Sequence, residues 1–380
     1  MNKGEYKGEG NMNVSVIGIG KLGLCFALTL EKAGYNVVGV DINQDRVNTI
    51  NDKTFKSCEP GVEQLLSNNF VVTTSIDDAL EHSNMIFVIV ATPSLANGRY
   101  DHSQVDSLVT LLEEKGHQTN PKHFVVCCTT MPGYSDTVQE RLEKHNYVVS
   151  YNPEFIAQGS ILRDQLNPDM ILIGEGNEKA GDILEEIYQD VTGNDSSVCR
   201  MSRTEAEITK ISLNCFLTTK IAFANMVGDI AIASGCRPQK ILDAIGSDSR
   251  IGLKYLGYGF GYGGPCFPRD NRALAIYAED KNIKALISLA SDKSNKEHLR
   301  FQVEDFCKKP KSDIISFDTV TYKPNTTILE ESQQLEYAVR IAKKGFTVVI
   351  KESKEVIKSI KDKFGNLFIY EERDFDETKK

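Results

Sequence analysis

Residues 257–270, reading GYGFGYGGPCFPRD, bring together residue types that do chemistry. The five glycines at 257, 259, 261, 263 and 264 leave no Cβ between the backbone and a bound group. Cys266 follows between Pro265 and Pro268, with Arg269 and Asp270 just beyond. The prolines fix φ on either side and hold the thiol in one place. A thiol offered by a rigid loop beside a cation and a carboxylate can act as a nucleophile, because positive neighbours favour the thiolate. The same letters also describe a glycine-rich surface loop whose cysteine is incidental, since cysteine often serves as a small buried hydrophobe. The elements around the loop have to decide.

A β-rich run at 14–17 leads into Gly18-x-Gly20-x-x-Gly23 and an apolar helix over 24–33, closed by Gly34. The next strand, 35–40, ends at Asp41, eighteen residues after Gly23. A lone glycine triplet is weak evidence, but between a strand and a helix, with an acid at this distance, it is a dinucleotide fingerprint. Gly18 makes the tight turn, Gly20 lets backbone reach a pyrophosphate, Gly23 permits close helix packing, and the helix N-terminus stabilises the phosphate charge. Asp41 accepts from ribose hydroxyls and so favours NAD over NADP; Arg46, one helical turn on, weakens that preference slightly.

Further strands are expected at 85–91, 123–128, 148–151 and 170–174, the last closing this domain, with helices at 77–80 and 105–115. Ligands of such sheets bind at strand carboxyl ends, so Thr92, Thr130 and Glu154 are directed to one crevice. Thr92 taken alone reads as a strand-end turn. Glu154, after Asn152-Pro153, is either a buried acid or base or the cap of a helix. Residues 204–233 are nearly free of breakers and apolar almost all round, as in a helix buried in a core or an oligomer interface. Lys210 and Asn214 share one face of it. Taken alone, Lys210 is expected to reach solvent, as most helical lysines do. Arg250, sixteen residues before Cys266, is a candidate phosphate contact. A short helix at 285–290 bridges to a small α/β unit with strands at 313–317, 347–350 and 367–370 and a helix at 331–344; the charged residues that follow read as a solvated tail.

Length suggests two or three domains. The formal net charge of −9 argues against nucleic-acid or anionic-membrane binding. Nine cysteines lie without CxxC spacing, so neither a zinc site nor a disulfide framework is expected, and a reducing, cytoplasmic compartment fits. Residues 1–12 are polar and read as a disordered tail rather than a signal peptide, with Met12 an alternative start. No run is expected to approach the ~20 apolar residues of a membrane helix.

Further motifs stand in order along the chain: Glu59-Pro60-Gly61, Val90-Ala91-Thr92-Pro93, Thr130-Met131-Pro132, Asn152-Pro153-Glu154-Phe155, Glu207-x-x-Lys210-x-x-x-Asn214, Arg250-Ile251-Gly252, Gly263 through Asp270, and Tyr322-Lys323-Pro324. With the glycine fingerprint, they resemble the UDP-glucose 6-dehydrogenase family of nucleotide-sugar dehydrogenases from about residue 13 to about residue 370. The resemblance implies an α/β protein in three parts. These are a Rossmann-type NAD-binding domain at 13–200, a central long-helix dimerisation domain at 201–300 that carries the cysteine loop, and a small C-terminal α/β UDP-binding domain at 301–380. It implies a four-electron oxidation of a sugar C6 alcohol to a carboxylate, reducing two NAD⁺, in a homodimer. Cys266 would carry the thiohemiacetal and thioester. Lys210 would stabilise oxyanion character with Asn214 as its hydrogen-bonding partner, Asp270 and Thr130 would hold a water, and Glu154 would assist thioester hydrolysis. Arg250 would reach a neighbouring subunit's substrate, Tyr255 would lie near the base, and Gly263 and Lys323 would contact the sugar nucleotide.

Three positions depart from the family's pattern. Pro265 stands where serine is common, Gln158 where a second glutamate follows, and Glu330 where an arginine touches the cofactor. A carboxylate near a pyrophosphate weakens cofactor binding. Two alternatives stay open: the same chemistry on another nucleotide sugar, such as a UDP-N-acetylhexosamine or GDP-mannose, and a catalytically impaired sugar-nucleotide-binding protein.

Overall fold

In the first half of the chain, runs of four or five apolar residues alternate with amphipathic segments, a pattern that pairs strands in parallel with helices on both faces. The computed structural model describes residues 12–57, 59–66, 69–156, 159–308, 312–324 and 326–373. Most of the expected 1–12 tail, Gln158 and the closing residues 374–380 lie outside them. The chain divides into two compact units, Met1–Lys210 and Ile211–Lys380.

The described residues of the first unit form one eight-stranded sheet. Its strands are β1 (Asn13–Ile17), β2 (Asn36–Val40), β3 (Val71–Thr73), β4 (Met85–Val88), β5 (Lys122–Val126), β6 (Tyr147–Tyr151), β7 (Met170–Gly174) and β8 (Ser197–Met201), in the order β3-β2-β1-β4-β5-β6-β7-β8. Neighbours are parallel except β6 and β7, which meet antiparallel at Tyr151 and Gly174. Alternate residues of one strand enter opposite cores: Met85 and Phe87 pack on one face, Ile86 and Val88 on the other. The order reverses between β1 and β4, which opens a crevice beyond their carboxyl ends. β8 corrects the expectation that 170–174 closes the sheet. It is an edge strand of partly exposed residues, SVCRM, with no apolar run to announce it.

In the second unit, β9 (Ile314–Phe317), β10 (Thr347–Glu352) and β11 (Ile369–Glu372) pair in parallel in the order β11-β10-β9. Ser332 and Ser353 cap the helices Gln333–Lys343 and Lys354–Phe364, each hydroxyl accepting a backbone amide. The helix Leu286–Lys308 is far longer than the expected 285–290. It buries Ser288, Ser291, Asn295 and His298 along with Leu299 and Val303, so its inward face is largely polar and escapes an apolar period.

The helix Arg203–Ala233 is continuous. It buries Ala206, Ile211, Cys215, Ala222, Ala224 and Ala231, while Phe216, Phe223, Met226 and Ile230 form an exposed stripe on the single chain. By length and composition alone it is the one helix among the described residues that could cross a membrane, which corrects the expectation that no run comes near that length. Its buried polar residues Glu207, Lys210, Thr218 and Asn225 all have partners within the chain.

Candidate active site

The dinucleotide turn takes shape at the end of β1. Gly18 has φ +95°, and a Cβ there would stand 2.4 Å from the Ile89 carbonyl oxygen; at Gly23 it would stand 1.9 Å from the Gly18 oxygen. Gly20 begins the helix Lys21–Lys32 with no side-chain cap and no acid in the first turn, and a Cβ there would meet nothing within 4 Å. A helix N-terminus presenting uncapped amides at an open glycine fits a pyrophosphate. Asp41 follows β2, buried; its Oδ1 accepts from Asn43 N at 2.9 Å and its Oδ2 from Arg46 Nη1 at 3.1 Å. Arg46, expected to weaken the NAD preference slightly, is thus paired with the Asp41 carboxylate. Thr92, also buried, donates to the Thr129 carbonyl at 2.7 Å and so links the segments that follow β4 and β5.

Thr130 is fully buried and donates to Glu207 Oε1 at 2.9 Å. The same carboxylate accepts from Gly133 N at 2.5 Å, Ser135 N at 2.9 Å and Ser135 Oγ at 2.7 Å. Burial raises the pKa of Glu207 while these four bonds oppose the shift. The sequence gives Glu207 as a motif letter without a role, although a carboxylate inside an otherwise apolar helix was a signal. It fixes the turn that carries Thr130.

Glu154 follows β6 with part of its surface open, yet protein surrounds its carboxyl, and desolvation pushes the pKa up to about 7 against the charge of Lys210 and a hydrogen bond from Tyr188. Lys210 is buried, correcting the expectation that it reaches solvent. Its ammonium donates to the Glu154 carbonyl and lies 4.3 Å from the centre of the Phe155 ring. Thr92, Thr130, Glu154 and Lys210 thus follow strand ends or open a helix within the first unit.

In the second unit Cys266 is exposed at the N-cap of the helix Phe267–Asp280. The positive end of a helix dipole stabilises an anion there. One turn behind it, the Asp270 carboxylate is almost wholly buried and accepts from Asn214 Nδ2 at 2.6 Å. Asn271 donates to Thr218 Oγ1 at 2.7 Å, so two residues of the long helix, four apart, lock the first turn of the cysteine helix. The loop before it is held as closely. Gly264 has φ +81°, and a Cβ there would stand 2.4 Å from the Tyr322 ring, while its amide donates to the Glu330 carbonyl at 3.0 Å. Gly263 lies against the Glu331 carbonyl, and the Tyr255 ring lies 6.3 Å from that of Phe267. Lys323 is half-buried beside Tyr322. Arg250 stands apart, largely exposed and bound to Asp248 through Nε at 3.0 Å and Nη2 at 2.8 Å.

Sequence reasoning missed how the glycine loop is fastened. Asn295 accepts from Tyr262 N at 3.0 Å and donates to Tyr262 O at 2.9 Å. His298 meets Asp229 through Nδ1 at 2.9 Å and Gly259 O through Nε2 at 2.7 Å. Tyr262 donates its hydroxyl to Asp292. These three residues share one face of the helix Leu286–Lys308, which the sequence showed only as a short bridge.

The glycine turn and Asp41 define a dinucleotide-binding protein. The chain matches the profile of the UDP-glucose/GDP-mannose dehydrogenase family, NAD binding domain, over residues 12–192, and that of the family's central domain over residues 204–297. It is 30% identical to a UDP-glucose 6-dehydrogenase of Pseudomonas aeruginosa, covering 89% of this chain and 78% of that one. It is 29% identical to a GDP-mannose 6-dehydrogenase of Pseudomonas syringae pv. tomato, covering 90% and 81%. A solved UDP-glucose dehydrogenase from Pyrobaculum islandicum superposes with a TM-score of 0.86 at 29% identity, covering 97% of this chain and 88% of that one. The chain belongs to the UDP-glucose/GDP-mannose dehydrogenase family, oxidoreductases that use NAD on nucleotide sugars.

Proposed function

We propose that the chain oxidises the C6 alcohol of UDP-glucose to the carboxylate of UDP-glucuronate, with two NAD⁺ reduced per sugar. The observation that carries this reading is Cys266 at the head of its helix, with the Asp270 carboxylate fixed one turn behind by Asn214. NAD, when bound, accepts the hydride of each oxidation. Gly18, Gly20, Gly23 and Asp41 are the residues that would hold it, with Arg46, Thr92 and Thr130 beside them.

In this reading Cys266 Sγ bonds to the carbon of the intermediate aldehyde, and the carbonyl oxygen takes a proton; the thiohemiacetal keeps the aldehyde from escaping. Loss of a second hydride from that carbon, with the hydroxyl proton passing to solvent, leaves a thioester. Water adds to it, the carbon–sulfur bond breaks, and the carboxylate and free thiol return. Lys210 and Asn214 stabilise negative charge on oxygen. Thr130 and Asp270 hold a water for proton transfer, and Glu154, poised near neutrality, takes the proton of the attacking water. Gly263, Tyr255 and Lys323 bind the sugar nucleotide, and Arg250 serves the site of a second copy. The homodimer of this proposal is built on the exposed stripe of the helix Arg203–Ala233. The three-domain division at 200 and 300 and a cytoplasmic location belong to the same proposal.

Relatives named for GDP-mannose stand as near as those named for UDP-glucose, so GDP-mannose is the second reading. The test follows NADH absorbance with limiting UDP-glucose, beside a Cys266→Ser variant. Two NADH per sugar for the natural chain, and no full turnover for the variant, are expected. One NADH per sugar removes the role of Cys266, and turnover with GDP-mannose alone keeps the chemistry and moves the substrate. Inactivity with every nucleotide sugar turns the reading to a binding protein.

A further inference from the structure

Behind Glu154 lies a cavity that gives the centre of a water molecule about 20 Å³ to occupy, lined by Phe155, Gln165, Pro168, Ile171 and Tyr188 as well as Glu154. Gln165 belongs to the short helix Ile161–Leu166 and is 4% exposed. Both amide atoms, Nε2 and Oε1, are buried without a hydrogen-bond partner in the protein. A buried primary amide with neither end satisfied is a costly arrangement, and such groups regularly hold an ordered water where the space admits one. This cavity admits one, and it offers the two to four polar partners that a held water needs.

We infer that Gln165 positions a water against the Glu154 carboxyl, so that the water joins Gln165 to the Glu154–Tyr188–Asn152 hydrogen-bond chain. The inference rests on the role of Glu154 as the base of thioester hydrolysis and assigns Gln165 a positioning role for it. The water accepts from Gln165 Nε2 and donates to the ionised carboxylate. On the other side, Tyr188 donates to Asn152 Oδ1 at 2.7 Å and is also hydrogen-bonded to Glu154. One hydroxyl proton cannot serve both acceptors. When Glu154 takes a proton it donates to the Tyr188 oxygen and leaves the tyrosine's proton to Asn152; when Glu154 is ionised the tyrosine turns to it, and the water supplies a second donor. The protonated and ionised forms of the base therefore each have a complete set of partners. The groups facing Glu154 are Lys210, Tyr188, Asp164 across the cavity, and the thiols of Cys25 and Cys127. Lys210 alone among them favours the ionised form by charge, and burial outweighs it.

The experiment titrates the Glu154 carboxyl in resting protein by infrared difference spectroscopy, with Glu154→Gln subtracted to isolate its band. Gln165→Met keeps the volume and removes both amide atoms, and Gln165→Leu is the second variant should the first fold poorly. Loss of the water's donation is expected to move the midpoint up by about one pH unit. The acid limb of single-turnover thioester hydrolysis is expected to move with it, at unchanged KM, which a merely structural role for Gln165 would not produce. A midpoint unmoved in both variants overturns the inference. If the midpoint moves but Glu154→Gln hydrolyses the thioester at the natural rate, the water link stands and the base assigned to the reaction falls.

Discussion

Changing Glu207 to glutamine tests the carboxylate that fixes the turn carrying Thr130. Oε1 accepts from Thr130 Oγ1, Ser135 N and Ser135 Oγ, and Oε2 accepts from Gly133 N. Glutamine can place a carbonyl at only one of these positions. Set at Oε1, it keeps three bonds but loses their charge assistance, about 1 kcal/mol apiece. Its amide nitrogen then faces the Gly133 N–H, two donors together, and an unsatisfied buried donor costs about 1–3 kcal/mol. Against this, a neutral side chain escapes the desolvation that raises the Glu207 pKa, which offsets roughly half the sum. The net loss is about 2–3 kcal/mol, or a melting temperature lower by about 5–10 °C for a unit of this size. Calorimetry of the ligand-free protein reads it, with Ser135→Ala made in both backgrounds to isolate the shared bonds. A melting temperature unchanged or raised in Glu207→Gln would refute the reasoning, because the buried charge would then cost more than its four donors return.

Glu154 makes the stability of the protein depend on pH. Its pKa is raised from 4.5 to about 7, so between these values the folded chain holds a proton that the unfolded chain has released. Stability therefore falls as pH rises through that window and levels above it, by roughly 3 kcal/mol in all. Urea midpoints at pH 5 and pH 8 are expected to differ less in Glu154→Gln than in the natural chain; equal differences would remove Glu154 as the source. His298→Leu withdraws a ring whose two nitrogens face Asp229 and Gly259 O, while the Asp229 carboxylate keeps the Tyr258 hydroxyl that donates to it at 3.0 Å. The expected cost of the lost hydrogen bonds is about 2–3 kcal/mol, and the loosened glycine loop is expected to speed alkylation of Cys266 by iodoacetamide. An unchanged alkylation rate would mean that the loop does not depend on this clamp.

What the sequence made legible was local. The glycine turn, the uncapped helix start and Asp41 lie within thirty residues of one another, and each letter answers to a backbone requirement that leaves few substitutes. The cysteine loop was legible as a rigid, glycine-lined segment, but the helix Phe267–Asp280 that Cys266 caps was not expected. Illegible were the residues that act on that machinery from far along the chain. Glu207 meets Thr130 across 77 positions, His298 meets Gly259 across 39, and Asn295 meets Tyr262 across 33. Such residues are polar where the local pattern calls for apolar, so periodicity reads them as noise or as solvent-facing, as it did with Lys210. The long helix shows the complementary failure. Its apolar residues run nearly all round, but the period cannot say which face the chain itself covers, and Phe216, Phe223, Met226 and Ile230 stay exposed on one copy.

The two failures have one cause. A side chain's environment is set by what folds against it, and in this protein the polar groups that hold the cysteine loop are supplied by the helices flanking it. Asn214 and Thr218 fix Asp270 and Asn271 in the first turn of the cysteine helix, while Asp292, Asn295 and His298 fix the backbone that enters it. Cys266 is thereby exposed on a segment whose neighbouring donors and acceptors are already engaged. The backbone beneath the thiol is held in place by contacts that come from residues far along the chain.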